Sequence, residues 1–143
     1  MKPFCATLLL ALLAQSSACA SDIILHIGQH EIRAKIANTA IARRQGLMHT
    51  SRLCDKCGML FVFATPGAYR FWMKNTPAPL SIAFISATGR IQQTDEMEAN
   101  SVNLHTAKSE VLYALEMNKG WFAAHSVNTN QYVLGLQNAP KGK

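Results

Sequence analysis

The chain has 143 residues, 49% of them hydrophobic and 15% charged, with a formal charge of +6. That is one domain with enough apolar content to bury a core, and too short for a multidomain enzyme. Four cysteines, Cys5, Cys19, Cys54 and Cys57, are too few for a disulfide-dense mini-protein.

Met1-Lys2-Pro3 is a short positive segment, and Phe4 to Ala14 is an apolar run interrupted only by Thr7. Ala18-Cys19-Ala20 places small residues at both positions of an A-x-A cleavage site. The pattern is a secretory signal peptide over residues 1–20, too short to span a bilayer. A membrane anchor and lipid attachment at Cys19 rank below it, since Ser16 stands where a lipobox wants an aliphatic residue. Cleavage near Ala20 leaves 123 of the 143 residues, starting at Ser21, with Cys54 and Cys57 as the remaining cysteines. The expected location is the periplasm or the outside of the cell. No later apolar stretch is long enough for a transmembrane helix.

Within residues 21–143 a single β-rich domain is expected. Asp22–Ile27 reads as a strand, Gly28-Gln29 as a type II′ turn, and His30–Ala37 as an alternating, half-buried strand. Asn38 or Thr39 caps a short helix to Gln45, ended by Gly46. Ser51–Lys56 is a polar loop, and Gly58–Ala64 is a continuous apolar run that reads as a buried central strand. Tyr69–Met73 is strand-like, Pro77 and Pro79 break the chain, and Leu80–Ala87 turns through Thr88-Gly89 into Arg90–Thr94. Asp95–Lys108 lacks a clear period and reads as a loop with at most a short strand near Met97. Val111–Met117 is a strand, Trp121–His125 a short helical segment, Gln131–Leu136 the last strand, and 137–143 a polar, frayed tail. The sum is mainly β: a small antiparallel sandwich or partly closed barrel with one or two short helices.

The chemistry-bearing groups are few. Cys54-Asp55-Lys56-Cys57 in an exported chain reads first as a disulfide. A thiol/disulfide redox site is the alternative, but its first cysteine should sit at a helix N-terminus, and an apolar strand follows instead. The methionines Met48, Met59, Met73, Met97 and Met117, with His49, raise the possibility of a soft-metal protein; three of them sit inside strand patterns as core filler. In Phe71-Trp72-Met73-Lys74-Asn75-Thr76, alternation puts Phe71 and Met73 on one face and Trp72 and Lys74 on the other. Trp72, Lys74 and Asn75, with Arg52 as a neighbour, form the candidate ligand platform. Glu116 lies in the apolar Leu-Tyr-Ala-Leu-Glu-Met run; if buried it needs an Arg or Lys partner, and structural pairing is its expected role. No nucleophile is supplied with a base, so no catalytic residue, resident metal or cofactor is expected. Arg43-Arg44 is the only adjacent basic pair, which argues against nucleic acid as partner.

Arg44, Gly46-Leu47-Met48, Arg52-Leu53, Gly58–Phe63 and above all Phe71–Thr76 followed by Pro79-Leu80 form a pattern, continued by Gly89-Arg90-Ile91, Leu115-Glu116 and Gly120-Trp121. In these residues the sequence resembles domain-of-unknown-function family 192, over roughly Ile32 to Leu136. The resemblance implies a small, sandwich-like β domain that is often exported, and no reaction. Two positions depart from the family's pattern: Ser81 stands where Asp is usual, and Thr129-Asn130 where Gly-Asp is usual. The cysteine pair is an elaboration on that pattern. The resulting expectation is a non-enzymatic binding or envelope-accessory module whose partner is a small ligand, a glycan or an envelope component.

Overall fold

The computed structural model describes residues 22–143; the expected signal peptide, with Cys5 and Cys19, lies outside them. Nine strands form in chain order: β1 Ile23–Ile27, β2 His30–Ala37, β3 Cys57–Gly67, β4 Arg70–Phe71, β5 Leu80–Ile85, β6 Ile91–Met97, β7 His105–Thr106, β8 Val111–Asn118 and β9 Val133–Leu134. Two short helices, α1 Ala40–Gln45 and α2 Trp121–Ala124, and a final 3-10 turn at Leu136–Asn138 complete the chain.

Seven strands make one curled sheet in the order β6-β5-β8-β3-β2-β1-β9, while β4 and β7 pair separately. The two edges of the large sheet approach at one end. There Arg90 bridges Tyr132, and the Val133 N–H donates to the Gly89 carbonyl at 2.8 Å. The expected mainly β, partly closed barrel is therefore the observed architecture. The β1–β2 hairpin turns at Gly28, whose φ of 58° suits the first position of a type II′ turn and favours glycine.

One pairing departs from the antiparallel expectation. β2 and β3 run parallel, with Arg33 opposite Cys57 and Ala37 opposite Phe61. Parallel neighbours need a crossover of a dozen or more residues, and residues 38–56, carrying α1, supply it. The short helix expected after Asn38 or Thr39 is thus the crossover of a β-α-β unit. Thr39 caps it by accepting from the Ala42 N–H at 3.1 Å.

The sheet has two cores. Leu25, Ile32, Leu60, Ala83, Leu115 and Met117 face inward with Trp121 and Phe122 of α2. Phe61, Phe63, Ile82, Phe84 and Ala114 face outward, beneath Leu47, Phe71, Met73 and Ala107. All six residues of β5 are buried, as a strand covered on both faces requires.

Element lengths differ where pairing, not periodicity, decides them. β6 extends through Met97 because Leu80 pairs with it. β7 forms inside the expected loop because Phe71 and Arg70 offer it a partner. The expected Tyr69–Met73 strand shrinks to Arg70–Phe71, and the last strand to Val133–Leu134. The C-terminal tail, read from sequence as frayed, is hydrogen-bonded back: the Lys143 N–H donates to the Asn38 carbonyl at 2.7 Å. Ser81, where the family pattern has Asp, is fully buried, with its hydroxyl 2.7 and 2.8 Å from the Glu96 carboxylate oxygens and accepting the Gly120 N–H at 2.8 Å.

Candidate functional site

The outer face of the sheet carries one row of residues in register: Lys35, Met59, Glu116, Ile82 and Asp95. Register partners share a face, so Glu116 at the centre of the row points out of the barrel into the second layer. That layer is built from α1 with the segment after it on one side, and from β4 with the following turn on the other.

Local chemistry fixes both walls. Gly46 ends α1 with a φ of 46°, and its N–H donates to the Ala42 carbonyl at 2.8 Å. Met73 to Thr76 forms a turn closed by the Thr76 N–H on the Met73 carbonyl at 3.1 Å, with Asn75 at a φ of 54°. Asn tolerates that left-handed position better than most residues, as the third residue of such a turn demands. The walls are tied together, since the Asn75 carbonyl accepts the His49 N–H at 2.7 Å and the Thr50 carbonyl accepts the Ala78 N–H at 3.0 Å.

Between the walls lies a cavity of about 180 Å³. Phe61, Phe63, Phe71 and Met73 supply its apolar lining, Arg43, Arg44, Arg70 and Lys74 its positive groups, and Glu116 its acid. Phe71 packs edge-on to Phe61, with ring centroids 5.0 Å apart. Trp72, 46% exposed, stands at the rim, and the Lys74 ammonium lies over its ring at 5.3 Å. Such a cation–π contact holds both side chains in place. Arg43 is already engaged: it donates to the Val62 carbonyl at 2.9 Å and to the Lys143 carbonyl, and lies over the Phe63 ring. Arg44 and Arg70 make no side-chain hydrogen bond or ion pair among the described residues.

Glu116 is 4% exposed. The sequence reading gave it an Arg or Lys partner; the structure corrects this, because no ion pair and no hydrogen bond engages its carboxyl among the described residues. Burial alone pushes its pKa up from 4.5 to about 8. Burial thus favours the protonated form, which has one O–H to donate and a carbonyl oxygen to accept.

Of the four residues proposed from sequence as a ligand platform, the structure brings Trp72 and Lys74 to the cavity. Asn75 is outside the lining and serves the turn. Arg52 is exposed in the loop before Cys54 and does not reach the cavity. Cys54 and Cys57 are joined by a disulfide, and Cys57 opens β3, not a helix, so no helix dipole acts on the pair. Asn118 holds this loop by donating to the Leu53 carbonyl at 3.1 Å and accepting the Leu53 N–H at 3.3 Å. Among the described residues no three His, Cys, Asp or Glu side chains converge as a metal site. Sequence reasoning missed Arg44, Arg70 and Glu116 as partners of Trp72. Two signals were present: an adjacent arginine pair, and a lone acid in an apolar strand. Their convergence was not.

A family model, DUF192 (Uncharacterized ACR, COG1430), matches residues 23–134. The chain belongs to this family. The resemblance read from the Phe71–Thr76 block is thereby confirmed. Among solved structures, this DUF192 member is similar to a "putative transcription regulator" from Sinorhizobium meliloti 1021, at 28% identity and a TM-score of 0.75, covering 80% of this chain and 92% of that one. It is also similar to a protein of unknown function from Novosphingobium aromaticivorans DSM 12444, at 27% identity and a TM-score of 0.73, covering 78% and 82%. No curated protein matches the chain.

Two outcomes follow from the packing and the buried acid. Met73 is 1% exposed, so Met73→Ala should cost about 2–5 kcal/mol by opening a hole beneath the turn. Trp72→Ala at the rim should cost about 1 kcal/mol or less. Thermal melts of the two variants compare them directly, and a larger loss at Trp72 contradicts the assigned faces.

The folded chain holds the Glu116 proton more tightly than the unfolded one. Stability from this group is complete below pH 4.5 and is lost as pH rises through about 8. Glu116→Gln should remove that loss, leaving the variant more stable than wild type at pH 9 by an amount on the order of a few kcal/mol. Denaturant unfolding of both proteins at pH 5 and pH 9 measures the difference; equal pH slopes contradict it.

Proposed function

We propose that this DUF192 member is an exported, non-enzymatic binding module that holds a small anionic ligand in the cavity between α1 and the Trp72 turn. The observation that carries this reading is the cavity's lining. Arg44, Arg70 and Lys74 have no acidic partner among the described residues, yet they share one concave site with Phe61, Phe63, Phe71 and Trp72. Unpaired cations around an apolar pocket favour an anion with an apolar body, since the rings take up the body while the cations make charge-assisted contacts to the anionic group. Trp72 offers the ligand a flat face at the entrance.

The size of the cavity limits the ligand. A cavity of roughly 150 Å³ accommodates a benzene ring, so about 180 Å³ suits a ligand of that scale. Thermal-shift titration with acetate, benzoate and inorganic phosphate, against benzylamine as a cationic control, tests the reading. At least one anion should raise the melting temperature, benzylamine should not, and Arg44→Ala with Lys74→Ala should weaken the response about tenfold or more. A protein that responds to none of the anions, or responds equally to benzylamine, excludes the proposed site.

Export is supported by residues 1–20 and by the disulfide, which persists in oxidising compartments. The form recovered from the periplasm or medium should begin at Ser21 by intact mass. Retention of Lys2, or a lipid on Cys19, contradicts simple cleavage.

A further inference from the structure

We propose that the ligand of this cavity is a small carboxylate, and that Glu116 receives it as a protonated carboxyl, the two groups sharing one proton. The inference rests on the reading of the cavity as an anion site and names the chemistry of the anion.

Glu116 is buried, lines the cavity and has no partner of its own among the described residues. Its immediate neighbours across the sheet are Met59 on β3 and Ile82 on β5, neither of which carries a charge. From α1 come Arg43, already bonded to two carbonyls, and Arg44. From β4 and the following turn come Arg70 and Lys74. On the same sheet face, Lys35 on β2 and Asp95 on β6 each stand two strands away, about 10 Å at ordinary strand spacing. Asp95 lies 3.6 Å from His105 of β7. His49 and Arg52, on the segment joining the walls, are exposed and do not line the cavity. Every charged group lining the cavity other than Glu116 is therefore positive.

An ionised Glu116 would repel the anion that those cations attract. A neutral Glu116 presents an O–H and a carbonyl oxygen to the cavity, and no side chain or backbone group among the described residues engages either, so both are available to a ligand. A carboxylate is the matched acceptor. Its oxygens accept the Glu116 O–H, and two adjacent carboxyl groups stably hold one proton between them. It is also planar, which suits a space walled by Phe61, Phe63 and Phe71. Phosphate and sulfate are tetrahedral and bring three or four oxygens where the site has one donor at its base. The proton balance is simple. Below the Glu116 titration the carboxylate enters and the proton is already in place. Above it, Glu116 is ionised, and each binding event takes up one proton from solvent.

Titration of the exported protein with benzoate by calorimetry, from pH 6 to pH 9.5, tests this. Affinity should be level up to about pH 8 and then fall about tenfold per pH unit. In the falling range the heat should depend on the buffer's ionisation enthalpy by the amount for one proton taken up. Glu116→Gln keeps a donor without a titration, so benzoate should bind it with no such fall. Proton uptake by the wild-type protein decides the point without any variant. Benzoate binding with the same pH profile in wild type and Glu116→Gln, or without proton uptake at pH 9.5, overturns the shared proton while leaving the anion site standing. Phosphate binding in place of benzoate overturns the carboxylate assignment and also leaves the anion site standing. Binding of no anion at any pH overturns the cavity reading and this inference with it.

Discussion

Three adjoining strands of the large sheet, β5, β8 and β3, are largely apolar on both faces, and this constraint organises everything else. A sheet buried on one side needs only to curl on itself. This one curls, with α2 closing one end of the interior, and still presents Phe61, Phe63, Ile82 and Phe84 outward. Water cannot be left against that surface, so a second layer must form. The chain supplies it from pieces too short to be stable alone: a six-residue helix, a two-stranded ribbon and two tight turns. Each is held by its contact with the sheet and by hydrogen bonds to its neighbour across the gap.

A layer made of separate pieces does not close perfectly over a flat surface. The cavity is the seam between α1 and the Trp72 turn. Glu116 occupies the sheet position beneath that seam, where its register partners on β3 and β5, Met59 and Ile82, are apolar. A carboxyl in such a place holds its proton to unusually high pH, because removing the charge from water costs more than any distant cation returns. The same seam gathers Arg44, Arg70 and Lys74, whose alkyl stems cover apolar surface while their heads remain solvated. A neutral acid below a positive rim is the arrangement from which the proposed binding chemistry follows.

The disulfide and the Asn118 clamp serve a different end of this architecture. They hold the loop that returns the chain from the second layer to the start of β3. The β2–β3 pairing is parallel, so this return cannot be a tight hairpin. A long connection with few apolar anchors gains from covalent and hydrogen-bonded ties near its end.

The sequence by itself determined most of the strands of the large sheet, the mainly β class, the family and the alternation that puts Phe71 and Met73 inside with Trp72 and Lys74 outside. These are local properties: period, turn residues and side-chain size act within a few positions of one another. It also showed Glu116 as an anomaly in an apolar strand, but assigned it a charged partner that the structure does not provide. Tertiary structure alone decided the parallel β2–β3 pairing, the short β4–β7 ribbon, and the meeting of Arg44, Arg70, Lys74 and Glu116 in one cavity. Those depend on register between strands distant in the chain: Glu116 faces the cavity because Met59 and Ile82 sit opposite it. A single sequence carries each strand's pattern but not the alignment of one strand against another, and the site is made by that alignment.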